Sequence, residues 1–169
     1  MTKMKQYHVA VAAEAFVAAF CAQAGLDVSI QYGANQPDYD LIVKRGARFI
    51  ALSVKGSQDG GWGLCQGYKR GRTYHEAIDL WCASHDKSIV YALVQFWGTT
   101  VGESPRIYLA TPSEIAGMMK ASRGGSGNTM LLEDYSYKKG VGKDTTDKLP
   151  EHWKFSEQRA LDLIASTAV

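Results

Sequence analysis

At 169 residues, 46% of them apolar and 21% charged, the chain is long enough to bury a core in one domain of ordinary size, and its composition excludes a disordered or repetitive protein. A formal charge of +2 is too small to identify a nucleic-acid binder, which is marked by a basic face more than by a net excess. Cys21, Cys65 and Cys82 form no CxxC and leave an odd thiol in any pairing, which argues against a zinc site and suits a reducing, cytoplasmic compartment. Lysines at 3 and 5 precede an apolar run, but Glu14 interrupts it before signal-peptide length, and no segment reaches the apolar length that crosses a bilayer, so no membrane association is expected. From about Gln6 to Ala24 an alanine-rich segment with Phe16 and Phe20 four apart predicts a helix that stops at Gly25. LDVSIQYG (26–33) alternates as a strand, and a turn GANQPDY follows. DLIVK, the turn RGA and RFIALSVK then read as a β-hairpin. Residues 56–75 read as a glycine-rich loop, HEAIDLWCASH as a helix, SIVYALVQFW as a buried strand, RIYLAT as a further strand, and PSEIAGMMK as a helix begun by Pro and Ser. Residues 122–150 change character around the patch MLLEDYSY and read as a mobile excursion. EHWKF is expected as a short strand, and Ser156 as the cap of a terminal helix over 156–166 that packs on the same core.

Chemistry concentrates in QPDYDLIVKRGARFIALSVKGS (36–57), where an acidic cluster opens one strand and a lysine stands near the end of the next. Asp40 directly precedes the apolar strand, and Ser53 and Lys55 share one face of the following strand, so both can face Asp40 across the hairpin. A carboxylate and an ammonium on neighbouring strands form a candidate metal and phosphate site. Asp40 also has a bland reading as a capped turn, and Lys55 as a solvated strand end. Glu14 is the sole charge between Val9 and Gly25, on a small apolar helix face where a carboxylate is costly unless it meets a cation, a metal or several donors; it reads equally as the solvent edge of that helix.

These residues resemble the PD-(D/E)xK, restriction-endonuclease-like nuclease superfamily, whose signature is an Asp at the start of one strand and (D/E)xK on the next. Pro37-Asp38 supplies a literal PD, but Asp40 occupies the place before the strand where the family carries its metal-binding carboxylate. The resemblance covers about residues 10–57 well and 75–116 in pattern. It implies an α/β single domain over 1–169 with its core at about 6–121, a mixed β-sheet flanked by helices in αβββαβ order, and metal-dependent DNA endonuclease activity. Mg²⁺ or Mn²⁺ would be held by Asp40, Glu14 and the Val54 carbonyl, and Lys55 would orient the nucleophile or stabilise developing charge. The departure is Ser53, which stands where Asp or Glu is expected. A serine can hydrogen-bond a metal-bound water but supplies no charge. Asp59 and Glu76 are the nearest candidates for a migrated acid.

The loop from Gly56 to Gly71 holds six glycines, with Lys69, Arg70 and Arg72 as candidate phosphate contacts, while Trp62 and Tyr68 either stack on bases or pack down on the domain. There is no GxxxxGK[ST], HExxH or GxSxG, and each of the four histidines reads as a surface or satisfied side chain. The expected partner is DNA, with a homodimer favoured by duplex cutting. The rival expectations are a nuclease-fold module that has lost catalysis through Ser53, and an immunity-like or antitoxin-like partner protein.

Overall fold

The computed structural model describes residues 3–31 and 38–166. A mixed five-stranded sheet is flanked by helices on both faces, an α/β architecture. Its strands lie in the order β1 (Asp27–Ile30), β2 (Leu41–Arg45), β3 (Arg48–Ser57), β5 (Ile89–Gln95) and β6 (Arg106–Ala110); only the β3–β5 pair is parallel. The connection between those parallel strands runs through β4 (Gly61–Gly63), a 3₁₀ turn at Gln66–Tyr68 and α2 (Tyr74–Ala83). All seven residues of β5 are buried, as expected of a strand with a parallel neighbour and helices on each side.

α1 (Gln6–Gln23) buries Val9, Ala13, Val17 and Cys21, a stripe at i, i+4 spacing, against Leu41, Val43, Ile50, Leu52 and Val54. It ends as expected near Gly25, whose φ of +72° lets the Leu26 N–H return to the Cys21 carbonyl at 3.1 Å. α4 (Glu157–Ser166) joins the same face through Ala160, Leu163 and Ile164, with Ser156 Oγ accepting the Arg159 N–H at 3.0 Å. The opposite face carries α2 and α3 (Pro112–Ala121), packed through Ile78, Trp81, Ile115 and Met119 on Tyr91 and Leu93. Both helices start with a reciprocal Thr/Glu capping box, Thr73 with Glu76 and Thr111 with Glu114. The cap of α3 is therefore Thr111, one residue before the Pro-Ser pair.

The hairpin forms with Arg45 opposite Arg48 and Gly46 at φ +63°. Of the expected turn GANQPDY, residues 33–37, including Pro37, lie outside the described residues, as do the last two positions of LDVSIQYG. Three readings change. The loop 56–75 contains β4, whose three residues pair with β7 (Met130–Leu132). The excursion 122–150 holds β7 and the hairpin of β8 (Asp134–Ser136) and β9 (Thr146–Lys148), pinned by buried Asp147, which accepts the hydroxyls of Ser122 and Tyr137. EHWKF is a 3₁₀ turn at Glu151–Trp153 with a single bridge between Lys154 and Tyr108, because Pro150 starts a Trp153 N–H to Pro150 carbonyl turn that drives Trp153 into the core.

Candidate active site

The site begins where β2 leaves β3. Leu41 is the first β2 residue in the ladder, opposite Leu52; the Asp40 N–H still donates to the Leu52 carbonyl at 2.8 Å. Beyond it, residues 54–57 of β3 have β5 on one edge and, among the described residues, no strand on the other. On that open edge a side chain replaces the missing strand, with Asp40 Oδ2 accepting the Val54 N–H at 2.6 Å. Close by, Trp62 Nε1 donates to the Lys55 carbonyl at 2.9 Å, and the Gln58 amide exchanges bonds with the Met4 N–H and carbonyl at 3.0 and 2.7 Å. Unpaired backbone groups are costly when shielded from water, so these bonds fix the divergence of the strands as a built feature.

The divergence opens a cleft of about 750 Å³ between the start of α1, the end of β3 and β4, bordered by Glu14, Asp40, Val54, Lys55, Asp59 and Lys3. α1 reaches it because Gly56 lets the helix lie on the strand: a Cβ there would stand 2.7 Å from Val9 Cγ1 and 3.0 Å from Ala13 Cβ. Three sequence-distant residues, Glu14, Asp40 and Lys55, thereby come within electrostatic reach. The Glu14 carboxyl is held above the usual carboxylate range, first by burial and then by the negative charge of Asp40, with Lys55 pulling the other way.

Ser53 is 3% exposed, lies opposite Tyr91 in the ladder and does not border the cleft. Asp59 does border it, and its carboxylate accepts the Ser57 hydroxyl at 2.9 Å. Glu76 is instead consumed by its capping box, whose Thr73 N–H and hydroxyl hold its carboxyl below the usual range. The T-x-x-E pattern carried that role in the sequence. Among the described residues no three His, Cys, Asp or Glu side chains gather as a metal-ligating group. The cleft's donors are carboxylates and main-chain carbonyls, and Mg²⁺ is satisfied by one or two carboxylates when waters and phosphate complete its shell. Asp40 and Glu14 fit that requirement.

Lys69, Arg70 and Arg72 stand away from the cleft near the start of α2. Lys69 Nζ donates to the Arg72 carbonyl at 2.6 Å and lies 4.7 Å from the Tyr74 ring centre; Arg123 approaches the same ring at 5.4 Å. Arg72 Nη1 donates to the Tyr68 carbonyl at 3.3 Å. Trp62 and Tyr68 take the packing alternative, Trp62 buried against Tyr108 and the Tyr68 hydroxyl 2.9 Å from Ser84 Oγ. His85 is engaged by the Trp81 carbonyl and the Tyr91 hydroxyl. Burial pushes the Cys21 and Cys65 thiols up to about 12, far from the thiolate that nucleophilic catalysis needs. No helix among the described residues is long and apolar enough to cross a membrane.

Comparison with protein-family models, with curated proteins and with solved structures finds no match for this chain.

Proposed function

We propose that the chain is a restriction-endonuclease-like protein that hydrolyses phosphodiester bonds in DNA with Mg²⁺ or Mn²⁺. The observation that carries the reading is the convergence of Asp40, Glu14 and Lys55 on one cleft at the point where β2 and β3 diverge. The order of α1, β1, β2, β3, α2 and β5, in a mixed sheet with helices on each face, supports the same reading.

In this arrangement Asp40 and Glu14 would hold the metal, with the Val54 carbonyl as a further oxygen donor. The chemistry a bound ion would supply there is activation of a water and neutralisation of charge on the scissile phosphate. Asp40 is preorganised because its second oxygen is fixed by the Val54 N–H. Glu14, partly buried and beside another carboxylate, gains from a neighbouring cation. Lys55 supplies a positive charge aimed into the cleft, where it stabilises the charge that develops on the phosphoryl oxygens; its main chain is anchored by Trp62. A second reading, a nuclease-fold module without catalysis, is favoured by Ser53, which puts no charge at the (D/E) position and is buried outside the cleft.

Plasmid and single-stranded DNA incubated with Mg²⁺ or Mn²⁺ separate the two. Metal-dependent cutting is expected from the wild type, reduced at least about a hundredfold in Asp40→Asn and in Lys55→Ala. No cutting, or cutting that both variants retain, overturns the nuclease reading and leaves the binding module.

A further inference from the structure

Trp97 follows the end of β5 and is 58% exposed, whereas the other three tryptophans of the chain, Trp62, Trp81 and Trp153, are buried. Single exposed apolar residues are ordinary. Two further observations set this one apart. First, both main-chain groups of Trp97 are fixed: its N–H donates to Gln95 Oε1 at 3.0 Å and its carbonyl accepts from Arg106 Nη2 at 3.0 Å. Those partners are themselves held. Gln95 is fully buried and donates to Ser57 Oγ at 3.2 Å, and Arg106 is locked in a two-point pair with Glu133. Second, the benzenoid edge of the indole lies beside Gly60, where a Cβ would stand 3.3 Å from the ring. The residues flanking Gly60, Asp59 and Gly61, both border the cleft. A large aromatic ring is thus presented to solvent, in a set position, at the rim of the candidate active site.

Aromatic side chains bind nucleic acid by stacking on base faces, and a base offers its face only when it is unpaired or splayed from the duplex. We propose that Trp97 is a base-stacking residue, which gives the protein a preference for DNA carrying an unpaired base next to the phosphate in the cleft. This rests on the reading of that cleft as a phosphodiester site. The ring gives sequence-tolerant affinity, because every base has a face to stack, and the cleft supplies the phosphate contact.

The test is binding of fluorescein-labelled oligothymidylate and of a blunt duplex, by anisotropy with Ca²⁺ in place of Mg²⁺, to the wild type, Trp97→Ala and Trp97→Phe. Intrinsic tryptophan fluorescence is followed in the same titrations. Expected are quenching of the wild type by the single strand, about tenfold weaker single-strand binding by Trp97→Ala, recovery of most of that affinity by Trp97→Phe, and duplex affinity changed less than about twofold. Single-strand binding that is absent, or as tight in Trp97→Ala as in the wild type, overturns the inference, as does saturation without quenching. Plasmid cleavage is scored separately. Metal-dependent cutting with Trp97-independent binding sinks the stacking role alone, and Trp97-dependent binding without cutting sinks the catalytic reading alone.

Discussion

One oxygen of Asp40 accepts the Val54 N–H where β2 parts from β3, and the same carboxylate borders the cleft. Asparagine keeps an acceptor for that N–H but loses the charge, whereas alanine loses both. Asp40→Asn is therefore expected to unfold within about 1 kcal/mol of the wild type, and Asp40→Ala to lose about 1–3 kcal/mol, the usual cost of stranding a shielded donor. Urea unfolding checks both, and equal destabilisation by the two would show that the bond to Val54 contributes nothing. Glu14 gives a prediction of opposite sign. Its folded-state carboxyl titrates above the ordinary range, so the folded chain holds the proton more tightly than the unfolded chain does. Below the ordinary carboxylate range Glu14 is neutral in both states and costs nothing. As pH rises through the ordinary value and then the raised one, ionisation lowers stability, and the cost is complete above the raised value. Glu14→Gln should raise the unfolding midpoint at neutral pH, with the gain fading in acid. If Glu14 holds Mg²⁺, adding that ion should raise the midpoint of the wild type more than that of Glu14→Gln. A variant that gains nothing at neutral pH refutes the strained-carboxylate account.

At the level of elements, the seat of α1 on β3 places Glu14 over the cleft, and Gly56 is what permits it. Adding a methyl group by Gly56→Ala meets Val9 Cγ1 at 2.7 Å, Ala13 Cβ at 3.0 Å and the Val9 carbonyl oxygen at 3.0 Å. The expected loss is about 1–3 kcal/mol, since a packed core resists insertion. Val9→Ala in the same chain should recover part of it, because the carbonyl contact remains, and a double-mutant cycle in urea reads that coupling. Additive losses would mean that the helix does not bear on Gly56. Much of this arrangement was legible beforehand: the alanine-rich helix with Phe16 and Phe20 four apart, the hairpin turn at Gly46 and the apolar run of β5 are local signals with direct physical causes, although the stripe α1 buries is Val9, Ala13, Val17 and Cys21. Alternation also put Ser53 and Lys55 on one side of β3. It said nothing of where β2 ends relative to β3, and that point decides which of the two side chains opens on the cleft. Likewise β4 is only Gly-Trp-Gly, too short for any period, and its partner lies some seventy residues on, so its pairing with β7 rests on tertiary contact alone. Glu76 is the reverse case: its local T-x-x-E pattern specifies a helix cap, and that role, not a catalytic one, occupies its charge.

Over the whole molecule, positive charge is distributed unevenly despite the net value of +2. Lys69 and Arg123 both lie against Tyr74, with Arg72 tied in beside them. The loop between β8 and β9 joins this group, because the Gly142 backbone lies against Arg123, and that loop carries exposed Lys138, Lys139 and Lys143. Three distant segments therefore bring cations together at the junction of α2, the end of α3 and the hairpin, with Glu76 beside Arg72 and Lys69 and with Asp144 4.0 Å from Lys143. β4 and β7 link that junction to the cleft, since β4 borders the cleft and β7 leads through Glu133 into the hairpin. DNA gripped in the cleft and running across β4 would lay its flanking phosphates on these cations. Phosphate contacts show in the salt dependence of affinity, with each one removed taking about 0.9 from the slope of log K against log salt. Replacing Lys138, Lys139 and Lys143 by alanine should lower that slope by about 1–3, weaken binding alike for all sequences, and leave the cutting rate at saturating DNA unchanged. These side chains are exposed, so folding is not at stake. An unchanged slope would put the path of the DNA elsewhere on the surface, whereas a reduced slope shared with Lys69→Ala would join hairpin and helix into a single track leading to Asp40.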